Sequence, residues 1–104
     1  MGKKADVKVR NFIKKVRKVL NVDLAILFGS RARGDYLEDS DYDVLIVSRD
    51  FKGKIVERIS ALYDYWDYFP LDIEVLCYTP EEFEKMKGRI GIVQEALKEG
   101  IEIS

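Results

Sequence analysis

Apolar positions fall into short, distinct periods along the chain. Val9, Phe12, Ile13, Val16, Val19 and Leu20 recur at spacings of three and four, which predicts an amphipathic helix over roughly residues 6–20 with Lys and Arg on its outer face. Leu24 to Phe28 is a short apolar run closed by Gly29, the pattern of a buried strand ending in a turn. Residues 29–34 are too polar for core and too short for a full helix, so a turn or a single helical turn is expected, followed by a polar loop to Ser40. Residues 41–48 (DYDVLIVS) read as a second strand, with Asp41, Asp43, Leu45 and Val47 on one face and Tyr42, Val44 and Ile46 on the other.

Ile55, Val56, Ile59, Leu62, Tyr63 and Trp66 restore helical spacing up to Pro70, so this helix should end near residues 67–69. A third strand is predicted over Leu71 to Tyr78, where Leu71, Ile73, Val75 and Cys77 alternate with Asp72 and Glu74; both acidic groups are expected on one face. Thr79-Pro80-Glu81-Glu82 is a helix start: Thr79 caps, Pro80 suits the first position and Glu82 completes a capping box. A last helix over roughly Ile92 to Lys98 stops at Gly100, and Ile101-Glu102-Ile103 adds a short extended piece. The expected fold is α+β and sandwich-like, one domain over residues 1–104 with a small mixed sheet of three to four strands backed by helices.

Composition narrows the function. A chain of 104 residues, 47% hydrophobic, has room for one core and no separate acceptor-binding domain. The net charge is −1, but residues 1–20 carry eight Lys/Arg against Asp6 alone, a net of +7, which leaves −8 for residues 21–104. That acidic body argues against nucleic acid as a partner of the basic first helix. The single cysteine, Cys77, lies in an apolar run and reads as core, in keeping with a reducing cytoplasm. No apolar run approaches a membrane span and no signal-peptide pattern follows Met1. Histidine is absent, so Ser-His-Asp and Cys-His catalysis and His-ligated zinc are excluded, leaving carboxylates, hydroxyls, Lys/Arg and backbone amides.

Those groups concentrate in one segment. A strand ending in Gly29-Ser30 presents backbone amides with no side chain in the way, suited to close approach of a triphosphate. On the next strand Asp41 and Asp43, at i and i+2, point the same way and can chelate a hard cation together. Gly29-x4-Gly34 opens like a Walker A loop, but Asp35-Tyr36 replaces the required Lys and Ser/Thr. Asp39, Asp41 and Asp43 open like an EF-hand, yet Val44 stands where glycine is needed. Arg31 and Arg33 suit phosphates, and Arg33 equally suits an Asp of the loop. Tyr63, Tyr65, Trp66, Tyr68 and Phe69 make an aromatic-rich helix end that reads as a partner surface.

Gly29-Ser30, ten intervening residues, then Asp41-x-Asp43 running into an apolar strand resembles the signature of the DNA polymerase beta-type nucleotidyltransferase superfamily, and GSRARG…SDYDVLIV resembles its minimal nucleotidyltransferase branch almost position by position. The order of elements extends the resemblance over essentially the whole chain. It implies a triphosphate, ATP before others, bound by Gly29, Ser30 and Arg33, and two Mg²⁺ ions (or Mn²⁺) on Asp41 and Asp43. It also implies a third carboxylate on a later strand, a place that Leu71-Asp72-Ile73 fits, with Glu74 as the competitor. Minimal members are commonly encoded beside a helical HEPN-type partner, as antitoxin to its ribonuclease, and can adenylylate a tyrosine of it. The resemblance thus implies transfer of a nucleotidyl group to a hydroxyl, with a non-catalytic module that neutralises a partner by binding as the alternative.

Overall fold

The computed structural model describes residues 7–35, 37, 40–63 and 72–103, without the side chain of Tyr63. Among the described residues nine elements follow one another: α1 (Val7–Val19), β1 (Leu24–Phe28), α2 (Ser30–Arg33), β2 (Tyr42–Val47), α3 (Ile55–Tyr63), β3 (Ile73–Tyr78), α4 (Pro80–Lys87), α5 (Ile92–Glu99) and β4 (Ile101–Glu102). The end of the aromatic-rich second long helix, and Leu71 at the start of the expected third strand, lie outside the described residues.

The four strands form one sheet in the order β3-β2-β1-β4. β1 pairs antiparallel with β2 on one side and with β4 on the other, whereas β2 and β3 are parallel and joined through α3. The short extended piece at residues 101–102 is thus an edge strand of the same sheet, reached directly from α5 through Gly100. A parallel pair needs a crossover connection, and α3 supplies it.

Strand parity divides the core in two. On one side Val9, Phe12, Ile13 and Val16 of α1 and Leu62 of α3 pack with Ala25, Leu27, Val44, Ile46, Ile73, Val75 and Cys77. On the other, Phe83 of α4 and Val93 and Ala96 of α5 pack with Ile26, Phe28, Leu45, Val47 and Tyr78. Each fully buried aliphatic side chain contributes roughly 1.5–3 kcal/mol, so both layers matter to stability. α4 and α5 cover much of the face that carries Asp43 and Glu74. Asp43 and Glu74, at the end of the sheet where β1 finishes and β2 and β3 begin, stay accessible.

Local signals explain the helix ends. Thr79 accepts from the Glu82 amide at 3.3 Å while the Glu82 carboxylate accepts from the Thr79 amide at 2.8 Å, a complete capping box with Pro80 behind it. Arg58 of α3, itself buried, then donates to both Glu82 oxygens at 2.5 and 3.2 Å, to the Gly53 carbonyl at 3.0 Å and to the Cys77 carbonyl at 3.1 Å. This knot fixes α3, β3 and α4 together. Cys77 is buried beside it, and burial pushes its thiol up to about 12, as expected of a core cysteine.

Candidate active site

Sheet register brings the signature residues together. Phe28, the last residue of β1, pairs with Asp43 of β2, and Asp43 pairs with Glu74 of β3, so three neighbouring strands present the end of one turn and two carboxylates side by side. Gly29 follows at φ 75° and ψ −158°, and a Cβ placed there would collide with the Asp43 carboxylate. Glycine is required here twice, for the left-handed backbone and for the room it leaves Asp43. Ser30 then opens the single turn α2, closed by Gly34 in the left-handed region.

A cavity of about 730 Å³ opens at this point, and its walls include Gly29, Ser30, Arg33, Asp43 and Glu74. Burial, then the hydrogen bond and charge of Glu74, then the charge of Asp41 push the Asp43 carboxyl up to about 6, against a lowering by Arg33. Two carboxyls held against each other in a partly dry site keep a proton that water would otherwise take. Asp41, one position before β2, is exposed.

Asp72 is placed differently from the expectation. It lies in the turn ahead of β3, where its carbonyl accepts from the Tyr42 amide at 2.9 Å, but its carboxylate pairs with Lys8 of α1. The Lys8 ammonium also lies 5.7 Å from the centre of the Tyr42 ring. Lys8 holds the Asp72 carboxyl below the usual range. Asp72 and Glu74 therefore do not act from one face: Glu74 meets Asp43, while Asp72 turns to the α1 side. Among the described residues no three acidic groups already converge as a metal cage.

The arginines divide as well. Arg33 lines the cavity and also holds Asp35 at 3.2 Å and Glu99 of α5 at 3.0 Å, so both readings of this residue meet in one side chain. Arg31 donates to the Ser40 carbonyl at 3.0 and 3.2 Å and stacks over the Tyr42 ring at 4.4 Å. It braces the connection between the Gly-Ser turn and the Asp-x-Asp strand, a positioning role that spacing alone does not reveal. The sequence also gave no sign of α5 in the site, yet Ile92 and Glu95 belong to the cavity wall. Their i, i+3 spacing places them on one helix face, but only packing shows what that face meets.

The donor set fits a hard divalent cation. Asp43 and Glu74 offer oxygens from adjacent strands, and Asp41 lies two residues before Asp43, just ahead of β2.

Similarity to known proteins identifies the family and the fold. The family model described as nucleotidyltransferase domain matches residues 8–102. A relative from Methanocaldococcus jannaschii, named "Putative protein adenylyltransferase MJ0141", is 41% identical over 54% of this chain and 67% of its own length. Among solved structures, one described as "a putative nucleotidyltransferase from Sulfolobus solfataricus" superposes with a TM-score of 0.64 at 22% identity, covering 90% of this chain and 74% of the other. Another, described as a "toxin-antitoxin with AMP-PNP", gives 0.56 at 20% identity over 89% and 70% of the two chains. At those identities the structures speak for the fold.

Proposed function

Because the chain belongs to the nucleotidyltransferase domain family, we propose that it transfers an adenylyl group from ATP to a hydroxyl of a partner protein. The observation that carries this reading is the contact of Asp43 with Glu74 in the cavity that Gly29 and Ser30 open. The relative's name supports a protein acceptor, and the toxin-antitoxin neighbour with a bound ATP analogue supports both the donor and a partner chain.

In this reading Gly29 and Ser30 receive the triphosphate, and Arg33 exchanges one of its two carboxylate partners for a phosphate oxygen. Asp41, Asp43 and Glu74 would hold Mg²⁺, two ions or Mn²⁺ in its place, with Asp72 kept by Lys8 outside this set. Bound cations neutralise the triphosphate and the departing pyrophosphate. The acceptor oxygen forms a bond to the α-phosphorus, the bond from that phosphorus to the bridging oxygen breaks, and pyrophosphate leaves. The acceptor proton passes to the Asp43 and Glu74 carboxyl pair. A domain of this size gains proximity to its acceptor through the partner interface, and a helical HEPN-type chain with a tyrosine suits that role.

Purification with the product of the adjacent gene and addition of ATP labelled at the α-phosphate should give a covalently labelled partner, absent with Asp43→Asn. Label on RNA or a small molecule would refute the protein acceptor. Neutralisation of the partner by Asp43→Asn as complete as by the wild type would instead establish a module that acts by binding alone.

A further inference from the structure

The sequence offers nothing that reads a nucleobase, whereas the cavity supplies walls beyond the phosphate and carboxylate groups. With phosphates at Gly29 and Ser30 and the reacting centre beside Asp43 and Glu74, the walls left for the nucleoside are Ile59 of α3, Ile73, Val75 and Leu76 of β3, and Ile92 and Glu95 of α5, among which Glu95 alone is polar. There Ile92 is 42% exposed and apolar, and Glu95 stands one turn further along the same helix face. At about 730 Å³ the space falls within the range of small-molecule sites, which combine apolar walls with a few polar groups that fix orientation.

Glu95 is set apart from the acidic pair. The charges acting on Asp43 are those of Glu74, Asp41 and Arg33. Arg33 is occupied by Asp35 and Glu99, and the described residues show no ion pair or side-chain hydrogen bond to Glu95. The Arg33–Glu99 pair also ties α5 to the Gly-Ser turn, so the α5 wall is held at a fixed place relative to the phosphates. An ionised carboxylate is an acceptor only, and so it selects a ligand edge that donates.

We propose that α5 recognises the base of the bound nucleotide, Ile92 packing against its face and the Glu95 carboxylate accepting a hydrogen bond from a 6-amino group, so that the site prefers adenine. This rests on the nucleotide-transfer reading above. Glu95 is exposed in the free chain, so a ligand that carries the matching donor gains one hydrogen bond to a charged group over the analogue that lacks it.

Calorimetric titration in Mg²⁺ compares ATP, purine riboside triphosphate, which lacks only the 6-amino group, and 2′-deoxyATP. The wild type should bind ATP about tenfold more tightly than the purine riboside form and should hold 2′-deoxyATP as well as ATP. Glu95→Ala should abolish that preference by weakening ATP alone, and Glu95→Gln, which keeps a carbonyl acceptor, should retain part of it. Equal binding of ATP and the purine riboside form by the wild type overturns the proposal while leaving the transfer reading intact. Weak binding of 2′-deoxyATP in place of the purine riboside form overturns it too, by moving Glu95 to the ribose. If no triphosphate binds with Mg²⁺, the phosphate site itself fails and this inference falls with it.

Discussion

The strand β3 runs between two acidic side chains in opposite electrostatic situations. Near its start Glu74 faces Asp43, like charge against like, and the Asp43 carboxyl is pushed up to about 6. Beyond its end Glu82 faces the buried Arg58, and this guanidinium, helped by the Thr79 amide, holds the Glu82 carboxyl down at about 2. The Arg58 end has opposite charges, two-pronged geometry and the Gly53 and Cys77 carbonyls for two further donors, which is what a knot needs in order to hold three elements together. The Asp43 end costs stability in the isolated chain. Perturbed carboxyls of this kind cluster at functional sites, and the contrast fits the proposed division between a working end and a scaffold.

The widest separation is expected in transfer activity. Asp43→Asn should lower the labelling rate by about a thousandfold or more, since one cation-binding oxygen is gone. Glu74→Gln should cost about a hundredfold and Asp72→Asn less than about tenfold. A larger loss with Asp72→Asn than with Glu74→Gln would make Asp72 the third carboxylate and break the comparison at its active end.

Next in size is the scaffold end. Arg58→Ala should destabilise the chain by roughly 2–4 kcal/mol in urea, since Glu82 and the Cys77 carbonyl lose a buried donor; the half-exposed Glu82 keeps the loss below that of a fully buried pair. Arg58→Lys should recover less than half, because an ammonium cannot reproduce the two-pronged contact. A loss below about 1 kcal/mol for Arg58→Ala would show the knot to be incidental.

The pH dependence of stability in metal-free buffer should show both ends with opposite signs. Asp43 holds a proton in the folded chain up to about 6 that the unfolded chain releases near 3.8, so its contribution is complete below that lower value and is lost as pH rises through about 6. Solvent screening reduces this to about 1–2 kcal/mol. Glu82 acts in reverse: its contribution is present above its unfolded value of 4.5 and is lost as pH falls through about 2. Denaturation midpoints should therefore peak near pH 4–5. Asp43→Asn should flatten the neutral side, and a monotonic rise to pH 7 in the wild type would contradict the raised Asp43 carboxyl.

The smallest effect belongs to Lys8. Its pair with Asp72 is about half exposed, so Lys8→Ala should shift stability by no more than about 0.5 kcal/mol. It should also leave labelling within about threefold if Asp72 stays outside the reacting set. A tenfold change would place the α1 side of the sheet in the site.

By itself the sequence determined the elements and the family signature. Helical spacing, strand parity and the Thr79–Glu82 capping box involve groups a few residues apart, so they were legible locally, as were Gly29-Ser30 and the Asp41-x-Asp43 pair on adjoining elements. Tertiary structure decided which distant groups meet. Glu82 looked wholly engaged by its cap, yet its stability depends on Arg58, 24 residues earlier. Strand alternation assigned Asp72 and Glu74 to one face, but alternation binds a side chain only inside the ladder. Asp72 sits in the turn just ahead of it and is free to rotate toward Lys8. No local pattern could show that α5 would close the cavity opposite Gly29, because that follows from the antiparallel pairing of β4 with β1, which sets α5 across the end of the sheet. Short-range periodicity fixes what each segment is, whereas the charges that set a carboxyl's proton affinity come from whichever segments folding brings within a few ångströms.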